Sequence, residues 1–438
     1  MRLREDELIR AISPVEIINP GGRVFSYFSF DSRDMKKDGL FFALKGQRDG
    51  HDFVKDAIKK GALAAVVERP MEFIPAFVVK DTLKALGDAA SFSLTLNKTL
   101  RLGITGSAGK TTTKEFVFSF LSKEFRTERT PGNWNNLIGV PVFILNRDEH
   151  TEALVIEMGI SIPGEMDKLV DIAKPRTVLF TRIYATHTQF LGSLEGVREE
   201  KGKILKHAER AAFNLDDNAQ EPLWERFAGE KRFFSSSREA DVKLLGWKRI
   251  SNGKLSVEIS YMGKEIKGVF PFWSPVFIEN LLAALAAASF FLREKPDIEG
   301  LKPLEGRGQS WERDGIFFID ESYNSNPDSL VRALFSLSGL EGTRIAVLSD
   351  MLELKDPEKV HREMGKKIAD LKIDYLLFCG ELMKYAAEEA LNKREKVFWV
   401  ETPEEAGKKL REIISPGSVV FFKGSHGTGL WQEVQKWK

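Results

Sequence analysis

The chain has 438 residues, room for about three domains, and 65 Lys and Arg against 64 Asp and Glu leave a net charge of +1. That balance excludes a nucleic-acid coat or a basic membrane tether as the main activity, and a 42% hydrophobic content excludes dominant disorder. A single cysteine, Cys379, excludes a disulfide framework and a Cys-rich zinc site, and the six histidines form no close pair of the metalloprotease type.

The first ten residues, MRLREDELIR, are charged where a secretory leader would be apolar. The longest uncharged apolar stretch, 281–292, falls short of the ~20 residues that span a bilayer. The expectation is a cytoplasmic protein with no membrane insertion and no nucleic-acid partner. Residues 1–98 carry strand-like runs at 39–44, 62–67 and 77–79. Residues 99–305 open on a strand over 99–105, and their clearest helix covers 279–290, with Leu281, Leu282, Leu285 and Ala288 at helical spacing. Residues 306–438 alternate strands at 316–319, 344–348, 375–379, 397–400 and 418–422 with helical stretches. This rhythm predicts an α/β protein of mainly parallel sheets wrapped by helices, in three domains with hinges near 96–98 and 303–308.

The strongest local signal is GITGSAGKTT over 103–112, after an apolar strand and before a helical pattern with Phe116, Val117, Phe120 and Leu121 on one face. Glycines let the amides of such a loop turn inward as an anion nest, and a helix N-terminus adds a positive dipole end. Thr105, Gly106, Ser107, Ala108, Gly109, Lys110, Thr111 and Thr112 are therefore the candidate phosphate cradle. Lys110 is the residue to reach the β- and γ-phosphates, and the Thr111 hydroxyl the one to bind Mg²⁺. The general P-loop pattern places a glycine at position 104, which is Ile104 here. A P-loop also needs a metal-holding carboxylate at a neighbouring strand end, and Glu157, closing the apolar run ALVIE over 153–157, supplies one.

Together with further segments these motifs resemble the Mur ligases over nearly the whole chain. Within that family the chain is similar to the branch that adds D-alanyl-D-alanine to UDP-N-acetylmuramoyl-tripeptide. The family loop reads TGxxGKT, as 105–111 does, which accounts for Ile104. The resemblance implies ATP, two Mg²⁺ ions and an acyl-phosphate intermediate. It implies a uridine-nucleotide-binding α/β domain at 1–98, a P-loop ATP-binding domain at 99–305 and a Rossmann-like domain at 306–438 for the incoming dipeptide. A monomer that closes before chemistry is the expected form.

In the first domain DSR at 31–33, FFALKG at 41–46 and DGHDF at 49–53 match the family, and Ser32, Arg33, Lys45 and Gly46 are the implied contacts to the UDP substrate. TPGNWNNLIGVP at 130–141 offers Asn135 and Asn136 to the acceptor. DESYNSNPDS at 320–329 implies Asp320 at the ATP ribose, with Tyr323, Asn324 and Asn326 near the dipeptide. Asn280 follows Glu279 where many relatives have a His-Asn pair. It is read either as an adenine contact or as a helix N-cap, and both can hold. Arg307 matches an arginine that contacts the nucleotide phosphates.

THTQFLGS at 186–193 resembles the segment whose histidine binds a second Mg²⁺, with His187 retained and Gln189 in place of an acid. Lys201 takes the place of a lysine that CO₂ carbamylates to N6-carboxylysine, and Lys203 replaces a glutamate. Thr111 and Glu157 are thus the implied ligands of one metal, and Glu157, His187 and carbamylated Lys201 those of the other. Lys110, Glu157, His187, Lys201 and Arg307 form the implied catalytic set. SDMLEL at 349–354 and KGSHG at 423–427 also match, with His426 where arginine is frequent, and Lys423 and Ser425 are candidates to close over the site. Two other readings are a sibling ligase that adds a single amino acid (folylpolyglutamate-synthase-like enzymes included) and a P-loop nucleotide switch. The YNSNP run at 323–327 argues against the first. The lack of an Asn-Lys-x-Asp run argues against the second.

Overall fold

The computed structural model describes residues 1–438 except 73 and 185–187, with nothing stated of the side chains of 188 and 189. The α/β class and the predominance of parallel pairing are as expected. Compact packing divides the chain into two units, one of Met1–Phe233 with Ala287–Leu292, the other of Phe234–Ala286 with Arg293–Lys438.

The first unit holds two main sheets. One runs in the order Glu16–Ile18, Ala76–Val78, Ala62–Val67, Gly39–Phe42, Tyr27–Ser29, parallel except at the Glu16–Ile18 edge. The other is parallel, in the order Arg210–Asn214, Thr177–Phe180, Leu100–Thr105, Ala153–Glu157, Thr127–Arg129. The strands Ala153–Glu157 and Thr177–Phe180 are buried at every residue. Parallel strands are covered on both faces, which is why these read as unbroken apolar runs rather than alternating ones. One hydrophobic core runs between the sheets, with Leu40 and Phe42 from the first and Leu154, Ile156 and Phe180 from the second.

The second unit contains a six-stranded sheet, ordered Gln309–Arg313, Ile316–Glu321, Ser418–Lys423, Thr343–Ser349, Tyr375–Cys379, Val397–Val400, parallel after its first antiparallel pair. It also contains an antiparallel meander, Val242–Ser251, Lys254–Tyr261 and Lys264–Phe270, which the expectation of parallel strands did not include. The middle strand alternates buried and accessible residues, the period of a sheet with one wet face. Its second turn places Met262 and Gly263 at φ 50° and 77°, the two positive values that a tight hairpin turn of primed type requires. The helix read at 279–290 spans Val276–Ala288. Asn280 therefore lies inside it, in the second turn, and the N-cap reading of Asn280 does not hold.

Candidate active site

The strands Leu100–Thr105 and Ala153–Glu157 are parallel neighbours with Ile104 opposite Glu157. The phosphate loop and the Glu157 carboxylate therefore leave the sheet at the same carboxyl edge, where α/β sheets hold ligands. The strand continues through buried Ile104 to Thr105, so the loop starts at Gly106 and position 104 has no turn to make. Gly106 has φ 150°, and a Cβ on it would strike the Thr181 hydroxyl. Gly109, at φ 81°, opens the helix Lys110–Leu121. The neighbouring strand exit braces the loop. The Ser107 amide donates to the Arg182 carbonyl at 2.7 Å, and the Ser107 hydroxyl donates to the Tyr184 carbonyl at 3.0 Å while accepting from the Tyr184 amide at 2.9 Å.

Two amines converge on one carbonyl. Lys110 Nζ donates to the Gly106 carbonyl at 2.8 Å, and Lys201 Nζ donates to it at 3.1 Å from the helix Leu194–Gly202. Lys201 is 1% exposed. Burial, reinforced by the nearby Lys110 charge, pulls its pKa well below the ordinary lysine value, with Glu200 opposing. Lys203, in place of the family glutamate, pairs with Asp167 at 2.7 Å and Glu200 at 2.6 Å.

Glu157 is buried, and Asn135 Nδ2 donates to its Oε1 at 2.8 Å. Its amide donates to the Thr130 hydroxyl at 3.0 Å. Its Oε2 is buried with no hydrogen bond. Such an atom is costly unless a cation completes it. A carboxylate oxygen of this kind is the hard donor that Mg²⁺ prefers. The ammonium of Lys114 lies 3.7 Å from the same oxygen. Asn136 acts locally, its Oδ1 accepting from the amides of Ile138 at 3.1 Å and Gly139 at 2.8 Å. His187 lies outside the described residues.

In the N-terminal sheet region Ser32 is buried against the Asp56 carboxylate, and the exposed Arg33 pairs with Asp31 at 2.7 Å. Lys45 pairs with Glu68, and a Cβ on Gly46 would meet open space. Buried His51 takes the Glu68 amide on Nε2 at 2.9 Å and turns Nδ1 to Asp49 at 2.6 Å, so it fixes the segment that carries Lys45.

In the second unit buried Asp320 organises its own turn. Its Oδ1 accepts from the Ser322 amide at 3.0 Å and hydroxyl at 2.6 Å, and its Oδ2 accepts from the Gly306 amide at 3.2 Å. The Arg307 guanidinium rests 3.8 Å from the centre of the Tyr323 ring. Tyr323 in turn lies 5.4 Å from His426, which stacks on Trp431. Asn326 caps the helix Pro327–Ser338 by accepting from the Ser329 amide at 2.9 Å. Asn324 accepts from the Ser325 amide, while its carbonyl and Glu321 hold Lys423, each at 3.1 Å. Glu279, beside Asn280, pairs with Arg332 at 3.0 Å.

Three family models match the chain. They are the Mur ligase middle domain at 104–288, the glutamate ligase domain of Mur ligases at 306–426 and the catalytic domain of the Mur ligase family at 25–91. A relative from Bacillus subtilis (strain 168), named UDP-N-acetylmuramoyl-tripeptide–D-alanyl-D-alanine ligase, is 32% identical over 421 residues, 93% of this chain and 91% of its own. The chain belongs to the Mur ligase family. The structure of MurF from Acinetobacter baumannii superposes with a TM-score of 0.89 at 27% identity, covering 100% of this chain and 98% of that one. The Thermotoga maritima MurF ligase in complex with ADP gives 0.83 at 28% identity, covering 94% and 98%.

Three groups that build this site do not stand out in the sequence as site residues. Thr181 and Arg182 shape the loop from the next strand, and no local motif marks them. Thr130 was read as part of an acceptor segment, yet its hydroxyl anchors the Glu157 backbone. Lys114 stands one helical turn after Lys110 and is fully buried, and its helical spacing from buried Val117 and Leu121 was its available signal. Among the described residues no helix is long and apolar enough to cross a membrane.

Proposed function

We propose that this chain is a cytoplasmic, monomeric ligase that joins D-alanyl-D-alanine to UDP-N-acetylmuramoyl-tripeptide with ATP, giving ADP and phosphate. The substrates are those in the names of its relatives. Residues 1–98 bind the UDP substrate, 99–305 bind ATP, and 306–438 bind the dipeptide. The observation that carries this reading is the convergence of Lys110 and Lys201 on the Gly106 carbonyl, at the sheet edge where Glu157 presents a buried oxygen with no hydrogen bond.

The terminal carboxylate of the acceptor attacks the γ-phosphorus of ATP, and ADP leaves. The amine of the dipeptide then attacks the acyl carbon, phosphate leaves, and the amine gives up a proton. Both partners of the first step are anions, so positioning and charge neutralisation are the protein's main work. Lys110 is released from the Gly106 carbonyl to neutralise the transferring phosphoryl group, and loop amides other than that of Ser107, which is bonded to the Arg182 carbonyl, hold its oxygens. Thr111 and Glu157 would hold one Mg²⁺, and Glu157, His187 and a carbamylated Lys201 would hold a second; the ions would supply further neutralisation of the phosphates. The depressed pKa of Lys201 favours the neutral amine that CO₂ attack requires. Ser32, Arg33, Lys45 and Gly46 serve the UDP substrate, and Asn135 and Asn136 the acceptor peptide. In the second unit Asn280, Arg307 and Asp320 serve the nucleotide, and Tyr323, Asn324 and Asn326 the dipeptide.

The test is phosphate release and product mass with each substrate omitted in turn. A pentapeptide product that requires all three substrates is expected. Turnover with a single amino acid would reassign the chain to a sibling activity, and hydrolysis indifferent to both acceptor and dipeptide would overturn the ligase reading.

A further inference from the structure

Lys114 has an arrangement that neither phosphate binding nor helix packing requires. It is fully buried in the helix Lys110–Leu121, and its ammonium donates to the carbonyls of Thr130 at 2.7 Å and Gly132 at 3.1 Å. Those bonds hold it at ion-pair range, 3.7 Å, from Glu157 Oε2 without a hydrogen bond to that oxygen. A direct ammonium–carboxylate hydrogen bond would close to about 2.8 Å. Glu115 adds a second carboxylate at 3.4 Å and is itself engaged by Arg129. The other side of Glu157 is fixed, because Asn135 occupies Oε1 and Thr130 holds the backbone amide.

We propose that Lys114 is a placeholder cation for the metal at Glu157, a positioning residue that acts through the carboxylate and touches no substrate. A buried carboxylate with no counter-charge destabilises a fold strongly. Lys114 supplies the counter-charge while metal is absent, and its carbonyl anchors stop it from covering Oε2. When Mg²⁺ enters, the fixed ammonium stays close and repels it, so Lys114 weakens metal binding and eases release of the metal–nucleotide product. This rests on the reading of Glu157 as a magnesium carboxylate.

The test uses the full chain and needs no turnover. Mn²⁺ binding in saturating ADP is followed by the electron paramagnetic resonance of free Mn²⁺, and unfolding is followed by calorimetry in EDTA. For Lys114→Met, Mn²⁺ should bind about tenfold more tightly, the scale of one like charge removed at partly screened range. Its unfolding midpoint in EDTA should fall by about 5 °C, and Glu157→Gln in the same chain should recover much of that loss. Lys114→Gln keeps an N–H donor for the carbonyls on a side chain one atom shorter and removes the charge, so it should tighten Mn²⁺ to a similar degree. Unchanged or weaker Mn²⁺ binding in either folded variant overturns the placeholder role. If Glu157→Gln alone leaves Mn²⁺ binding intact, the magnesium reading of Glu157 is what fails. If it abolishes binding while the Lys114 variants match the wild type, the placeholder alone fails.

Discussion

At the phosphate-loop edge of the first unit, buried charges have incomplete partners: Lys201 shares one carbonyl with Lys110, and Glu157 keeps an oxygen without a hydrogen bond. At the strand-end turn of the second unit, Asp320 accepts from Ser322 and Gly306, and Lys423 is held by Glu321 and the Asn324 carbonyl. What lacks a hydrogen bond around that turn, among the described residues, is neutral, the hydroxyls of Ser325 and Ser349 and the side-chain carbonyl of Gln309 opposite Asp320, although Glu433 in the helix Leu430–Gln435 also keeps one buried oxygen without one. An unpartnered buried charge is tolerated where a ligand completes it, whereas a satisfied one rigidifies its own loop. The first edge is thus arranged to receive charge, and the second to hold a shape.

The largest expected effect tests the first half of that contrast. Lys110→Met should lower kcat by about 10³-fold, the scale of losing a main electrostatic donor. Its unfolding midpoint should hold or rise, because a like charge beside buried Lys201 has gone. A midpoint that fell in step with activity would make Lys110 a structural residue and remove the contrast. Gly106→Ala follows. The residue sits at φ 150° against the Thr181 hydroxyl, so about 2 kcal/mol of stability should be lost to backbone strain and contact. Denaturant unfolding measures it, and a loss under 0.5 kcal/mol on that rough scale would mean that the loop shape is not held by this contact.

The two edges were unequally legible in the sequence. The phosphate loop was plain because its glycines, lysine and threonine are fixed by backbone geometry within a few residues, and Glu157 was visible as an acid ending an apolar run. Lys114 and Thr130 were missed as a pair because their link to Glu157 crosses from one strand exit to another, and spacing along the chain carries no trace of that. Five strands of the second unit's six-stranded sheet read well from composition, since buried parallel strands are nearly continuous apolar runs, whereas the accessible antiparallel edge strand Gln309–Arg313 went unread. The meander did not, because its one wet face interrupts those runs with Lys and Glu. Asn280 misled as a cap because the polar residue at the helix start is Ser274, whose hydroxyl accepts from the Val276 amide at 3.2 Å.

For the second edge, Asp320→Ala should cost about 2 kcal/mol, since the Gly306 amide and the Ser322 amide and hydroxyl lose their acceptor. The turn that carries Arg307 should loosen with it. Calorimetry gives the stability change, and the KM for ATP reports the displaced arginine. A variant with normal stability would mean that the Asp320 oxygens are as open to a ligand as Glu157 Oε2, and the two edges would then be alike.

The smallest effect concerns pH. His361 is buried in the helix Pro357–Ala369, where its Nε2 accepts from the Met351 amide at 3.1 Å and its Nδ1 proton goes to the Pro357 carbonyl at 2.7 Å. A proton on Nε2 would face an N–H and break the first bond. Burial pulls the pKa below its ordinary 6.5, against the weaker upward pull of the Pro357 carbonyl and Asp350. Between the lowered native value and 6.5 the unfolded chain binds more protons than the native one, so stability rises with pH through that window and is lost on acidification. Asp350 works with the opposite sign at lower pH, its carboxyl raised by burial so that the native state there binds the extra proton. The difference between wild type and His361→Gln isolates the histidine. Unfolding free energy between pH 7 and pH 5 should fall by about 1 kcal/mol more in the wild type than in the variant. Parallel curves would mean that His361 takes up a proton without cost, and the second unit would then hold its shape with a titratable reserve like that of the first.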